Sequence, residues 1–210
     1  MSFWMTVGEQ LRRPNGGAGR TAGRIMRFVN ARPNTLAVAA LEVRPADHVL
    51  ELGCGPGHAL QLMANQIGDG VIHALDPSET MLAQARRRNR AAVKSARVRL
   101  YCAAAELIPL GSNSVNKVLA VNVAYFWSDP SAALREIFRV LRPGGRVSIY
   151  VTDAATMRRW RFADGHTHRT YDGQQLADAL RHGGFRHYSI AIQGVSIARH
   201  VTGLIGIASK

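Results

Sequence analysis

A run of apolar residues, interrupted by one acid, ends in alternating glycines near position 50. Its sequence is Val49-Leu50-Glu51-Leu52-Gly53-Cys54-Gly55-Pro56-Gly57. We predict a buried strand that breaks into a turn, because glycines let the backbone approach a ligand with no Cβ in the way. The helix that follows directs free N–H groups to the same place. The segment therefore predicts a nucleotide-cofactor site beside the Glu51 carboxylate.

The spacing of these glycines selects among cofactors. Gly53, Gly55 and Gly57 follow the pattern G-x-G-x-G, and His58 stands where the dinucleotide fingerprint G-x-G-x-x-G has its third glycine. This spacing argues against a nicotinamide-dependent dehydrogenase. A phosphate-binding P-loop is excluded as well, because no Gly-Lys-Ser/Thr follows the glycines.

The glycine turn and three later segments resemble the class I S-adenosylmethionine-dependent methyltransferases. The chain is similar in particular to the small bacterial branch that includes ubiquinone and menaquinone biosynthesis methyltransferases. The resemblance covers most of the chain and implies an enzyme that uses S-adenosylmethionine and releases S-adenosylhomocysteine. The three later segments are His73-Ala74-Leu75-Asp76-Pro77-Ser78, Ala105-Glu106-Leu107-Ile108-Pro109-Leu110 and Leu134-Arg135-Glu136-Ile137-Phe138-Arg139-Val140-Leu141-Arg142-Pro143-Gly144-Gly145.

The resemblance implies a role for each residue of the glycine turn. Glu51 would hold the ammonium of the cofactor's methionine part, directly or through water. Gly53, Cys54 and Gly55 would pass close under that part. A nucleophilic Cys54 is the alternative, but we interpret it as a small residue tolerated in the turn.

Two further parts of the cofactor are assigned to the ends of the second and third predicted strands. Asp76 lies about 20 residues past the first glycine, where a carboxylate accepts both ribose hydroxyls, and Pro77 follows it. The family usually has Gly-Asp-Ala-Glu near the adenine, but the matching residues here are three alanines and Glu106. The adenine contact is therefore assigned to backbone groups near Ala104 and Ala105, or to Glu106.

A polar and aromatic segment follows the fourth predicted strand. The resemblance places Asn122 near the methionine part, whereas Tyr125 and Trp127 are candidates for lining the acceptor pocket, with a cation–π contact to the sulfonium. Core packing is the alternative for Phe126 and Trp127. Asn116 stands where the family commonly has the aspartate that opens this strand, and we expect it to matter for folding rather than for chemistry.

Methyl transfer needs positioning and desolvation of the reactants more than it needs a base. A base is required for a hydroxyl or carbon acid and less for a free amine or thiol. No catalytic residue and no metal site is predicted. His166 and His168 lack a third ligand and are interpreted as a loop feature, and His58 as a surface residue of a first helical turn.

Apolar strand-like runs alternate with helical patterns, which indicates a parallel sheet covered on both faces. With the resemblance, the predicted fold is a Rossmann-like seven-stranded methyltransferase sheet, parallel except for an antiparallel last strand. Ser78 and Pro130 are predicted to begin helices, and Pro143 with its two glycines to end one. The predicted strands are 48–52, 71–75, 98–102, 118–123, 146–151, 185–192 and part of 195–208.

Residues 1–24 are rich in glycine and are predicted to form an N-terminal arm, with the cofactor-binding domain over 25–210. Phe3, Trp4, Val7 and Leu11 fall at helical spacing within this arm. It is either a flap over the cofactor, which we favour, or an interfacial membrane helix.

Composition sets the remaining expectations. The chain has 210 residues, 47% of them hydrophobic, and no apolar stretch long enough to span a bilayer, which favours the cytoplasm, free or peripheral to a membrane. Its net charge of +13 would attract RNA, anionic lipid or a phosphorylated substrate. The densest basic run, residues 86–99, is otherwise a solvated helix face.

Two functional hypotheses follow. The first is an enzyme that moves the methyl group of S-adenosylmethionine to a small-molecule or lipid-like acceptor. The alternative is a catalytically weak protein of the same fold that acts as a basic RNA- or membrane-associated binding module. The alanines near the adenine and the charge favour the alternative, whereas Glu51, the glycine turn and Asp76 favour the enzyme.

Overall fold

A seven-stranded sheet organises the chain in a computed structural model, which describes residues 30–160 and 169–210. The predicted arm and the histidines at 166 and 168 lie outside the described residues. Strand order is β3-β2-β1-β4-β5-β7-β6. The strands are β1 His48–Leu52, β2 Val71–Leu75, β3 Val98–Tyr101, β4 Val115–Val121, β5 Leu141–Thr152, β6 Ala191–Ala198 and β7 Val201–Ser209.

The direction of the strands confirms the predicted fold class. The pairs among β1 to β5 are all parallel, whereas β7 runs antiparallel to both of its neighbours, β5 and β6. The carboxyl ends of β1, β2, β4 and β5 therefore meet at one edge of the sheet, which is where residues that follow these strands are brought together.

Two helices begin at the capping residues that the sequence offers. The Ser78 side chain accepts the Met81 N–H, and Asp129 accepts the Ala132 N–H with Pro130 in the first turn, so both predicted starts are confirmed. The helices are α1 Ala31–Leu41, α2 His58–Ala64, α3 Glu79–Arg88, α4 Arg90–Lys94, α5 Pro130–Val140, α6 Ala154–Met157 and α7 Gly173–His182; 3-10 turns span Ala124–Phe126 and His187–Ser189.

Alternation along the strands divides the core into two layers. In β1, Leu50 faces a cluster that includes Ile137 of α5 and Leu180 of α7. Its neighbour Val49 faces the opposite cluster, which includes Leu60 of α2. Because side chains in a strand point alternately to the two faces, a strand that is apolar throughout is buried by helices on both sides.

Two predicted boundaries were wrong. Helix α5 ends at Val140 and β5 begins at Leu141, so Pro143 and its glycines lie within the strand instead of ending the helix. The strand predicted over 185–192 begins only at Ala191. Phe185 is buried because its ring packs edge-on against Phe138, which a loop residue can do as well as a strand residue.

Both cysteines are free thiols, with Cys54 buried and Cys102 exposed. Across residues 30–160 and 169–210, we find no helix that combines the length and the apolarity needed to cross a membrane.

Candidate active site

The glycine turn between β1 and α2 contains three glycines with positive φ angles that serve different purposes. At Gly53 (φ 64°) an added Cβ would overlap the Val123 side chain, and at Gly57 (φ 77°) it would lie 2.6 Å from the Asn89 Nδ2. At Gly55 (φ 50°) an added Cβ would meet no atom of the described residues within 4 Å. The first and last glycines are thus required by packing, whereas Gly55 is the one whose missing side chain leaves open space.

Asp76 connects the ends of β1 and β2. Its Oδ2 accepts the Gly55 N–H at 2.8 Å, and its Oδ1 accepts the Ser78 N–H at 2.9 Å. Burial raises the pKa of this carboxyl, and the two backbone hydrogen bonds oppose the shift. Each oxygen retains a second lone pair, so the carboxylate can accept further hydrogen bonds. Pro77 is exposed beside it.

Glu51 is a buried acid at the end of β1. The residue is 4% exposed, and its Oε2 has no hydrogen-bond partner within the described part of the chain. Burial raises the pKa of Glu51 well above its usual value of 4.5, and the neighbouring Asp76 charge raises it further. A buried carboxylate oxygen of this kind can accept a hydrogen bond from a positively charged group of a ligand.

Cys54 is a buried residue of the glycine turn that is close enough to both acids to feel their charges. Its backbone N–H donates to the Leu75 carbonyl at 3.0 Å, which ties the turn to β2. Burial raises the pKa of its thiol well above the usual 9.0, and the charges of Glu51 and Asp76 raise it further. The reactive form of cysteine is the thiolate, so this position suits a small residue in the turn and not a nucleophile.

The segment after β3 lies against the end of β2, where the Cys102 thiol donates to the Pro77 carbonyl at 3.8 Å. Ala104 is exposed and Ala105 half-buried. Glu106 accepts the Ser128 N–H at 2.6 Å and the Asp129 N–H at 3.3 Å. Its carboxylate is thus engaged by the loop before α5.

A chain of hydrogen bonds runs across the edge at the end of β4. Asn122, with φ 54°, donates from Nδ2 to the Asn30 Oδ1 at 2.8 Å and accepts the Tyr125 hydroxyl at 2.7 Å. The Tyr125 oxygen in turn accepts the Thr152 N–H. Burial raises the pKa of Tyr125 far above its usual range, so the hydroxyl stays protonated and acts as a linker.

The two aromatic candidates for the acceptor pocket are both buried. Tyr125 packs edge-on against Phe126, and Trp127 joins the core cluster that faces α5 and α7. Trp127 is 7% exposed, and its indole N–H has no hydrogen-bond partner among the described residues. A buried donor without a partner is unusual and marks a position where a ligand can supply the acceptor.

Within residues 30–160 and 169–210, no three His, Cys, Asp or Glu side chains come together in a way that could hold a metal ion. His58 is half-buried in the first turn of α2.

The sequence analysis did not predict the residues that hydrogen-bond to the glycine turn and to the segment after β4. Asn89 donates to the Gly57 carbonyl at 2.9 Å, and Arg88 donates to the Pro56 carbonyl at 3.0 Å. Asn30 and Thr152 complete the chain of hydrogen bonds at the end of β4. The signal for Asn89 was its type, because an asparagine between two helical segments is typical of a helix end.

The arrangement defines a class of protein. A glycine turn and a strand-end acid lie together at the carboxyl edge of a parallel, doubly covered sheet, which is where such α/β proteins bind nucleotide-containing ligands.

Comparison with known proteins gives the family. The family described as "Methyltransferase domain" matches residues 50–149. The uncharacterized methyltransferase YdaC of Bacillus subtilis is 33% identical over 175 residues, which cover 83% of this chain and 91% of YdaC. A malonyl-[acyl-carrier protein] O-methyltransferase of Alcanivorax borkumensis is 35% identical over 55% of this chain, which there spans only 38% of the relative.

A solved structure shares the fold. Phosphoethanolamine N-methyltransferase 2 of Haemonchus contortus in complex with S-adenosyl-L-methionine has a TM-score of 0.74, with 15% identity over 90% of this chain and 57% of that chain. The chain belongs to the class I S-adenosylmethionine-dependent methyltransferases. It is an enzyme of this family, and the alternative of a basic binding module is not favoured.

Proposed function

We propose that this enzyme transfers the methyl group of S-adenosylmethionine to a small-molecule or lipid-like acceptor at the carboxyl edge of β1, β2 and β4. The observation that carries the proposal is the buried Glu51 Oε2, which has no hydrogen-bond partner among the described residues and lies close enough to Asp76 to feel its charge. A buried anion without a partner costs stability, and a cationic ligand that pairs with it would recover that cost.

The residues of this edge fit the cofactor part by part. Glu51 would hold the ammonium group, and the backbone of Gly53, Cys54 and Gly55 would lie along the methionine part. Asp76 would accept both ribose hydroxyls through its remaining lone pairs, with Pro77 beside the sugar. When bound, S-adenosylmethionine supplies an electrophilic methyl carbon on a sulfonium.

The adenine would contact the backbone near Ala104 and Ala105. Of the two alternatives for this contact, the Glu106 carboxylate is already engaged with Ser128 and Asp129. Backbone N–H and C=O groups can contact an adenine edge without an acidic side chain. We therefore expect the adenine to contribute less to cofactor affinity than the ammonium and the ribose.

The acceptor side is proposed at the aromatic segment after β4. Asn122 would face the methionine part, with its orientation fixed by its hydrogen bonds to Asn30 and Tyr125. Tyr125 and Trp127 would exclude water, and the Trp127 indole N–H is available to donate to the acceptor. A relative acts on malonyl-[acyl-carrier protein], as its name states, which is compatible with an acceptor that combines a small polar group and a carrier.

Calorimetric titration of the protein with S-adenosylmethionine and S-adenosylhomocysteine tests the proposal, with NADH as the negative ligand. We expect micromolar binding of both methionine derivatives and none of NADH. Asp76→Ala should weaken binding by about 100-fold or more, because it removes the ribose acceptor and frees the Gly55 N–H. Wild-type protein that binds neither ligand would refute the proposal.

A screen of acceptors follows once binding is established. Radiolabelled methyl transfer from S-adenosylmethionine to small carboxylic acids, amines, phenols and acyl-carrier thioesters would identify the atom that is methylated. Trp127→Phe is the variant to compare, because it keeps an aromatic ring at this position while it removes the indole N–H together with part of the ring volume.

A further inference from the structure

The densest run of basic residues contains two side chains that do not point to solvent. Arg86, Arg87 and Arg90 are exposed, as a solvated helix face requires. Arg88 and Asn89, at the end of α3, instead reach the glycine turn, which lies 32 residues earlier in the chain. This part of the run therefore has a different role from its neighbours.

Both hydrogens of the Asn89 side-chain amide are donated in hydrogen bonds. The side-chain amide has two hydrogens, and Nδ2 donates to the Gly57 carbonyl at 2.9 Å and to the Ala85 carbonyl at 3.1 Å. The residue is buried, and its Nδ2 occupies the space that a Cβ at Gly57 would need. One side chain thus joins the last turn of α3 to the last residue of the glycine turn.

Arg88, the residue before Asn89, forms a second hydrogen bond to the turn, at Pro56, the residue before Gly57. Its Nε donates to the Pro56 carbonyl at 3.0 Å. Two consecutive carbonyls of the turn therefore accept hydrogen bonds from the last residue of α3 and from the residue that follows it. At its other end, α3 is capped by Ser78, whose N–H donates to Asp76, so the helix is attached at both ends to groups of the cofactor site.

We infer that Asn89 and Arg88 are positioning residues that hold the glycine turn in its cofactor-binding conformation, an inference that rests on the proposed function. Glycine loses more conformational freedom on ordering than any other residue, and this turn contains three in the left-handed region. A turn that is already ordered before the ligand arrives binds more tightly, because the ordering cost is not taken from the binding free energy.

The test compares Asn89→Asp with wild-type protein in calorimetric titrations with S-adenosylmethionine. The aspartate keeps the shape but cannot donate to the two carbonyls. We expect its dissociation constant to rise about tenfold, the factor that corresponds to one ordinary hydrogen bond. The added negative charge would favour a cationic ligand, so a loss of affinity reports the geometry of the turn and not the charge.

Two controls separate positioning from general destabilisation. Ile137→Val removes a methylene from the core on the opposite face of the sheet and should lower stability without changing the dissociation constant. Arg87→Ala removes a neighbouring exposed charge and should change neither. Asn89→Ala and Arg88→Met repeat the test with smaller disturbances if Asn89→Asp does not fold.

Hydrogen exchange supplies a readout that does not depend on the ligand. In Asn89→Asp we expect faster exchange of the amides of Gly55 and Gly57, with β1 unchanged. Equal acceleration in both segments, or an unchanged dissociation constant with unchanged exchange, would overturn the inference. Wild-type protein that fails to bind S-adenosylmethionine would refute the proposed function, and the exchange comparison would still decide the role of Asn89.

Discussion

The two ends of the central strands differ in whether their side-chain acceptors have hydrogen-bond partners. At the amino end, the Asn116 Oδ1 near the start of β4 accepts the His48 N–H at 2.9 Å and the Arg142 Nη1 at 3.3 Å. At the carboxyl end, the Glu51 Oε2 has no partner in the part of the chain that the structure describes. One acceptor connects three strands of the fold, whereas the other is left for a ligand.

The difference has an energetic meaning. A hydrogen-bonded acceptor at the start of β4 stabilises the pairing of its neighbours, while an unsatisfied buried carboxylate destabilises the free protein by about 1–3 kcal/mol. Functional sites commonly retain such local costs because activity depends on them. Removal of the Glu51 charge should therefore raise stability and lower cofactor affinity, whereas a change at Asn116 should alter stability alone.

Glu51→Gln gives the strongest test of this comparison. The variant removes the negative charge, so we expect S-adenosylmethionine to bind about 10- to 100-fold more weakly, the value of a charge-assisted hydrogen bond. At pH 7 the free variant should be more stable than wild type by about 1–2 kcal/mol, because a buried glutamate at this pH costs free energy, either as an anion or by taking up a proton, and a neutral amide does not. Calorimetry and urea denaturation measure the two effects.

The pH dependence of Glu51→Gln has a definite sign. Because the pKa of Glu51 is raised in the folded state, folding favours its protonated form, and wild type loses this contribution as the pH rises from 4.5 toward the folded pKa. The stability advantage of the glutamine variant should thus be greatest at neutral pH and vanish below about pH 4.5. A variant less stable than wild type at pH 7 would mean that the free protein already pairs the Glu51 charge.

The glycine turn offers a comparison within the carboxyl end. Gly57→Ala places a Cβ 2.6 Å from the Asn89 Nδ2 and 3.0 Å from Ala85, and should lower the free energy of unfolding by about 2–3 kcal/mol. The methyl group of Gly55→Ala would lie more than 4 Å from every atom in the part of the chain that the structure describes, so this variant should cost only about 1 kcal/mol for its left-handed backbone. Its methyl group would enter the space proposed for the cofactor, so the dissociation constant should rise about tenfold.

Thermal denaturation and S-adenosylmethionine titration of both alanine variants show whether each glycine is needed for packing of the turn or for close approach of the cofactor. Gly55→Ala that binds with wild-type affinity would show that the open space at this glycine is not used by the cofactor. The Gly111→Ala variant is a suitable control, since Gly111 also has open space around it but lies in the loop between β3 and β4, away from the turn.

The sequence predicted the first two strands to the residue, because each is an apolar run bounded by a glycine turn or a strand-end acid. It failed where burial came from another element. Phe185 reads as the start of a strand because it is apolar, but it is buried by a ring contact with Phe138 of α5. The local hydrophobic pattern indicates that a residue is buried, but it does not indicate which element of the fold covers it.

The candidate site divides in the same way. The meeting of Glu51, Gly55 and Asp76 could be predicted, since the carboxyl ends of neighbouring parallel strands share one edge. The contact between Asn89 and Gly57 could not, because it depends on where the end of α3 comes to rest on a turn distant in sequence. A hydrogen bond from a distant side chain to a loop depends on tertiary packing, which cannot be read from the local pattern of one sequence.

Asn116→Asp is expected to have the smallest effect and tests the amino end alone. The family that the chain resembles commonly has an aspartate at this position. A carboxylate would accept hydrogen bonds from the His48 N–H and the Arg142 guanidinium, and these bonds would be stronger because they are charge-assisted. We expect the free energy of unfolding to rise by about 0.5–1 kcal/mol and the dissociation constant for S-adenosylmethionine to stay unchanged. Asn116→Ala, which accepts neither bond, should be less stable than wild type. If either variant altered cofactor affinity, the two ends of the sheet would be coupled, and the independence that the comparison assigns to them would be wrong.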